Sequence, residues 1–329
     1  TVADARFFDA DADGDQELYL VSGGADTYLH SSDYQDELYI NDGKGAFTLA
    51  KDALPVEKES GGCVRVADMN RDGLPDLFVG GKLSPGSYPL APESFLLINH
   101  GTKGIPKFTR DRGVADTSLD HAGMVSDAVW TDLNGDGWPD LVVVGEFMPI
   151  RIYENNKGYL KEATAQYLPG RSLEGWWSRV MADDINGDGK PDLLVGNLGT
   201  NTQLKASADR PLTIYAGDFY GNGTMLPILS MYHGDRMSPL YSKDELADQI
   251  PTLQKRFQKY DDYADASITD IFDASLLNKA YKVQARTLSS IALFNKAGKT
   301  LEPTALPNGV QLSAMRAIVP ISYEKEALP

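Results

Sequence analysis

A nine-residue pattern, Asp-x-(Asp/Asn)-x-Asp-Gly-x-x-(Asp/Glu), recurs along this chain, and each good copy runs straight into a short apolar stretch. Its fullest copy is Asp184-Ile185-Asn186-Gly187-Asp188-Gly189-Lys190-Pro191-Asp192, followed by Leu193-Leu194-Val195 and Gly196. Three more begin at Asp9, Asp68 and Asp132, and a weaker fifth begins at Asp218. Oxygens at positions 1, 3, 5 and 9 alternate along the loop, so several can turn inward around one hard cation. Ca²⁺ takes six to eight oxygens in a flexible cage, and a glycine after position 5 permits the sharp turn. The backbone carbonyl of position 7 completes the shell.

The candidate ligands follow copy by copy. They are Asp9, Asp11, Asp13, Asp15 and Glu17; Asp68, Asn70, Asp72, Leu74 and Asp76; Asp132, Asn134, Asp136, Trp138 and Asp140; and Asp184, Asn186, Asp188, Lys190 and Asp192. Leu74, Trp138 and Lys190 enter through their backbone oxygens. This predicts about four calcium sites. An EF-hand is the wrong reading: it needs a bidentate Glu at position 12 and helical flanks, and position 12 here is Leu20, Val79, Val143 or Val195. The plain alternative is a set of Asp/Asn/Gly turns without metal.

The 329 residues provide for one large or two medium domains. The formal charge of −16 shows no basic stripe and excludes a nucleic-acid partner. Much of that charge sits in the loops, so four Ca²⁺ would halve it. Cys63 is the only cysteine, which rules out an intrachain disulfide. It stands in an apolar run as a small buried residue. No membrane-spanning run or signal peptide is present, and a need for millimolar calcium points outside the cytosol. Opening almost directly on a strand and a loop, the sequence reads as a piece of something longer.

Each repeat has one grammar. A strand enters the loop (Arg6–Phe8, Val64–Ala67, Ala128–Thr131, Arg179–Ala182, Thr213–Tyr215), and a second leaves it. After a variable connection comes a third (Glu37–Ile40, Phe95–Ile98, Arg151–Tyr153, Ile291–Phe294), then an Asn/Gly/Lys hairpin turn and a short fourth strand. Motif starts at 9, 68, 132, 184 and 218 lie 59, 64, 52 and 34 residues apart. The fold class is therefore all-β: a β-propeller of four-stranded antiparallel blades with five motif-bearing units. A sandwich of the same strands gives no reason for the repeated loop.

The short last spacing predicts a fourth blade abbreviated around Gln203-Leu204-Lys205. Residues 234–285 break the grammar inside the fifth unit. Ser242-Lys243-Asp244-Glu245 is a capping box, and Ser267–Leu277 reads as another helix. This segment is a helical insertion, either a lid or a partner-binding element. Residues 1–329 then form one propeller domain, with Ala314–Val319 left as an orphan strand-like run. Five blades make a tight ring, so six or seven are expected in the intact protein.

These residues resemble the FG-GAP/VCBS-repeat family, whose calcium-loop propellers also form integrin α-subunit heads. More narrowly, the chain is similar to bacterial proteins of the ASPIC/UnbV and cartilage-acidic-protein type, common in Bacteroidetes. The phrases that carry this are Phe7-Phe8-Asp9-Ala10-Asp11, Asp36-Glu37-Leu38-Tyr39-Ile40-Asn41-Asp42-Gly43, Leu77-Phe78-Val79-Gly80-Gly81, Gly145-Glu146-Phe147-Met148-Pro149-Ile150, Gly175-Trp176-Trp177, Gly196-Asn197-Leu198-Gly199 and Tyr241-Ser242-Lys243-Asp244-Glu245-Leu246. The resemblance covers nearly the whole chain. It implies a seven-bladed ring in a longer secreted or lipid-anchored surface protein, one blade missing before Thr1 and another largely missing after Ile318. The fifth loop departs from the family pattern, with Tyr220 at position 3 and Leu226 at position 9, and is not expected to hold calcium.

In up-and-down blades the metal loops and the Asn-Gly turns share one face, and the long connections share the other. Binding residues concentrate on long loops over a rigid scaffold. The candidates there are Trp176, Trp177, Arg179, Glu146, Asn197 and Asn201, with Lys82, Tyr88 and Tyr28 on the same rim. The leading function is a non-catalytic, calcium-stabilised propeller that binds a protein or glycan at the cell surface. One alternative is a polysaccharide-active enzyme, either a hydrolase using Glu146 and Asp120 or a lyase using His121 or Tyr88 as base. The other is a structural subunit of an outer-membrane surface complex.

Overall fold

The apolar runs become strands buried on both sides, because successive side chains point to opposite faces and each face meets a different blade. In a computed structural model, residues 1–321 are described; residues 322–329 of the expected domain lie outside them. Blade 1 is β1 (Val2–Phe8), β2 (Glu17–Ser22), β3 (Glu37–Asn41) and β4 (Phe47–Leu49) in that order. Blade 2 repeats it with β5 (Gly61–Ala67), β6 (Asp76–Gly81), β7 (Phe95–Asn99) and β8 (Phe108–Arg110). Blade 3 consists of β9 (Met124–Thr131), β10 (Asp140–Pro149), β11 (Arg151–Asn155) and β12 (Leu160–Glu162). The strand β10 runs on as far as Pro149, and β13 (Glu174–Trp176) pairs with its far end.

The cores lie between blades. On β6, Leu77 and Val79 face blade 1 and pack with Tyr19, Val21 and Leu38. Phe78 faces blade 3 and packs with Val125, Leu141 and Val143. On β10, Leu141 and Val143 face blade 2, while Val142 and Val144 face Leu193, Val195 and Leu293 of blade 4. Truncating one of these fully buried side chains, such as Phe78→Ala, costs about 3–5 kcal/mol.

Blade 4 corrects the expectation. It contains β14 (Arg179–Asp183) and β15 (Asp192–Gly196), but its third and fourth strands come from far downstream. Between them stands a separate sheet of β16 (Leu212–Gly217), β17 (Leu226–His233), β18 (Arg236–Pro239) and β19 (Tyr281–Ala285), in the order β18-β17-β16-β19. Then β20 (Ile291–Lys296) pairs with β15 through Leu193 opposite Leu293 and Val195 opposite Ile291, and β21 (Thr300–Ala305) closes the blade. Blade 4 is thus complete rather than abbreviated, and the whole fifth unit is inserted between its second and third strands. Ile291–Phe294 belongs to blade 4, not to the fifth unit. Ala314–Val319 forms no strand.

The inserted sheet packs Leu212, Ile214, Met231 and Ala285 against Met124 and Phe147 of blade 3. The expected helices lie between β18 and β19, with the Ser242–Glu245 capping box formed. The second expected helix breaks into Ile268–Ile271 and Ala274–Lys279. Leu246, Ile250, Phe257, Ile268 and Phe272 of this segment share a small core with Phe219 of the fifth loop.

Candidate metal loops and the long-loop face

The first strands β1, β5, β9 and β14 are neighbours in that order, so the four blades fan from one axis and their Asp-rich loops line up on one face. In every loop the position-1 carboxylate closes the turn. Asp68 accepts the N–H groups of Asp72 (3.1 Å) and Gly73 (3.0 Å), and Asp184 accepts those of Gly187, Asp188 and Gly189. These N–H donors hold the Asp184 carboxyl below its ordinary pKa. Position 4 is left-handed throughout: glycine in three copies, but Ala12 (φ 59°) and Arg71 (φ 60°) in the others.

Position 9 is a buried staple. Asp76 accepts N–H bonds from Met69 (3.1 Å) and Asn99 (2.9 Å); Asp140 accepts from Leu133 (2.9 Å) and Asn155 (2.8 Å); Asp192 accepts from Ile185 (3.2 Å) and Asn295 (2.8 Å). Burial raises the carboxyls of Asp76 to about 6 and Asp140 to about 7. A carboxylate oxygen with one N–H still has a lone pair for a cation.

The asparagines on that staple were legible only as hairpin residues, yet they join the blades. Buried Asn99 donates to the carbonyl of Ala10 in blade 1's loop (2.8 Å). Asn155 donates to Met69 of blade 2 (2.9 Å), and Asn295 to Leu133 of blade 3 (2.8 Å). Each blade therefore clamps position 2 of the preceding loop. The recurrence of Asn after every third strand was the available signal.

The first loop differs from the rest. Its acids at positions 1, 3 and 9 (Asp9, Asp11, Glu17) and at 5, 7 and 9 (Asp13, Asp15, Glu17) bring ligand oxygens within 4.8 Å of one another. Asp11 is 1% exposed. Neither of its oxygens has a hydrogen-bond partner, and Asp15 and Glu17 each leave one buried oxygen unpartnered. Desolvation and the neighbouring carboxylates push Asp11 up, and desolvation foremost takes Glu17 to about 7. A buried carboxylate without a partner is costly, and a cation removes that cost, so the donor set fits Ca²⁺. In the second and third loops the position-3 amide instead bonds position 5, Asn70 to Asp72 at 2.9 Å and Asn134 to Asp136 at 3.0 Å. The fifth loop keeps the position-1 closure through Asp218 and the position-5 bond, in which Asn222 accepts the Thr224 N–H, but has no acid at positions 3 and 9.

On the opposite side of the blades, a cleft of about 360 Å³ brings together Lys82, Glu146, Trp176, Trp177 and Arg179. Lys82 Nζ meets Glu146 at 2.7 Å and Ser126 at 2.7 Å. Trp176 lies on Phe147 at 4.8 Å between ring centroids. Trp177 is fully buried, with its indole N–H on the Leu173 carbonyl at 3.0 Å. A Cβ on Gly175 would meet that ring at 2.4 Å, which explains the Gly-Trp-Trp phrase. Asn197 is also buried and holds the 287–290 segment. Trp177 and Asn197 thus support the face rather than offer contacts. Asn201 is exposed and tied to Leu312, and Tyr28 is exposed on the neighbouring loop. The carboxylates nominated for hydrolysis both face cations, Glu146 with Lys82 and Asp120 with Arg112 at 3.6 Å.

Strand order, blade packing and loop geometry define a propeller-type protein of four-stranded antiparallel blades. Within it, residues 9–79 and 132–195 match the FG-GAP-like repeat family. It is similar to human integrin alpha-7, with 32% identity over 148 residues, 42% of this chain. That match spans 12% of the integrin's length. Among solved structures, the V. cholerae biofilm matrix protein Bap1 aligns over 74% of this chain and 53% of its own, at 12% identity and a TM-score of 0.26. No helix among the described residues is long and apolar enough to cross a membrane.

Proposed function

We propose that this chain is a non-catalytic, calcium-stabilised propeller that binds a protein or glycan partner through its long-loop face. The observation that carries the metal is Asp11, a buried carboxylate with both oxygens unpartnered among four more acids. Asp9, Asp11, Asp13, Asp15 and Glu17 form the first site, and the loops at 68–76, 132–140 and 184–192 form three more. In this reading the metal is structural: the loops lie on the face away from the cleft, and the first three already tie one blade to the next. The working surface is the cleft of Lys82, Glu146, Trp176 and Arg179. The setting is extracellular or on a bacterial outer membrane, as the ASPIC/UnbV-like phrases and the integrin similarity support.

Thermal unfolding with and without EDTA, paired with metal analysis, tests this. Near four calcium per chain and a large, Ca²⁺-reversible fall in melting temperature are expected. A site at a hundredfold excess over its Kd adds about 2.7 kcal/mol. No bound calcium and no EDTA effect would reject the metal. Protein and glycan arrays probed at calcium saturation test the face, and a blank array rejects it.

A further inference from the structure

We propose that the axial cavity between the first strands is an oxyanion site, built by Arg6, Arg179 and Arg316 for a sulfate or carboxylate group. The chain carries a net charge of −16. Yet this cavity, of about 630 Å³ and open to solvent at Arg6 and Arg316, is lined by Arg6, Arg65, Arg179 and Arg316 against only Asp4 and Asp127. Both of those acids are engaged. Arg65 bonds Asp4 at 2.7 Å and also bonds Asp127. Backbone N–H groups of Ala5 and Val64 add to Asp4, and those of Ala128 and Val180 add to Asp127.

Arg6 and Arg179 reach only carbonyls. Arg6 Nε points to Val64 O at 3.4 Å, and Arg179 donates to Arg316 O (2.9 Å) and Ser126 O (3.4 Å). Among the described residues, no ion pair joins Arg6, Arg179 or Arg316 to a carboxylate. A guanidinium keeps its charge and five planar donors, a geometry suited to oxyanions. Three of them around one cavity, with two positive charges in excess, attract an anion and repel calcium. Burial and the nearby Arg65 already work against the Arg6 charge. Arg179 and Arg316 also line the cleft on the long-loop face, so the cavity is reached from there. The site needs neither bound calcium nor a macromolecular partner.

Isothermal titration of the whole chain with sodium sulfate, against sodium chloride at matched ionic strength, reads it directly. Saturable sulfate binding is expected. It should weaken at least about tenfold in R6Q/R316Q, since charged hydrogen bonds are lost, and stay unchanged in K51Q/K58Q. Excluded sulfate also stabilises proteins generally, but without saturation. Should R6Q/R316Q melt lower than the parent in chloride, R6K/R316K keeps the charge and loses only the planar forks; weaker sulfate binding is expected there too. A heparin-derived disaccharide binding more tightly than sulfate assigns the oxyanion to a glycan, and equal binding assigns it to a free ion. Absent sulfate binding, or binding retained in both arginine pairs, overturns the site.

Discussion

At the scale of single residues, two buried acids govern how this chain responds to its medium. Neither carboxylate oxygen of Asp11 accepts a hydrogen bond, so removing its charge has opposite effects with and without metal. Asp11→Asn should be no less stable than the parent in EDTA, yet lose about 2–3 kcal/mol of calcium-dependent stabilisation. Denaturant melts at matched free Ca²⁺ read this, and a full calcium response in the variant would sink the ligand assignment. Asp36 is different: its oxygens accept Tyr19 O–H (2.7 Å) and Ser22 N–H (2.8 Å), outside the Asp-rich loops. Burial raises its carboxyl from 3.8 to about 7. The folded state therefore holds this proton more tightly than the unfolded chain. Its contribution is full below about pH 4 and is lost as pH rises to about 7, by a few kcal/mol at 1.36 kcal/mol per pKa unit. Stability of the parent relative to Asp36→Asn should fall across that window and level off above it. A difference that is flat with pH would refute the account.

At the scale of elements, the polar links between blades carry as much information as the strands. Asn155 uses its amide on Met69 O and Pro139 O and its oxygen on Gly158 N–H. Asn155→Ala leaves those buried groups unsatisfied and should cost about 2–4 kcal/mol, whereas Asn41→Ala, whose amide reaches only Gln16 of its own blade, should cost less. Equal losses in urea unfolding would deny the clamp. The strands themselves were legible from sequence, since the alternation of apolar faces and the Asp-rich loops mark each local hairpin. Blade membership was not. Sequence order implied that the strand at Ile291 continued the unit opened at Leu212, but that unit pairs β16 with β19 and closes on itself. β15, with Leu193 and Val195 buried, then needs a partner and takes it about a hundred residues later. Local pattern fixes hairpins; burial of a long-range face fixes which hairpins share a sheet. The same limit hid the clamp, because a buried Asn and a turn Asn look alike until the neighbouring blade is in place.

For the whole molecule, cores shared between blades mean that no blade is stable alone. Each main cluster joins residues of two neighbours, so opening one interface exposes apolar surface on both. Cys63 reports on this. It is fully buried in the cluster between blades 2 and 3, at the end of β5 away from its Asp-rich loop. Burial raises its thiol pKa, which keeps it inert in the folded state. Its reaction with a thiol reagent then requires the blades to part, and the rate in mild urea should follow the global unfolding equilibrium. If calcium on the loop face holds the blades together, EDTA should speed this labelling while the fold still looks intact by circular dichroism. Labelling that ignores both urea and EDTA would mean that the interface between blades 2 and 3 opens locally, and that the loops and the core are not coupled. Labelling that rises with both would place the loop oxygens and the inter-blade cores in one cooperative unit, so that losing an ion on the rim loosens a thiol at the far end of the strand.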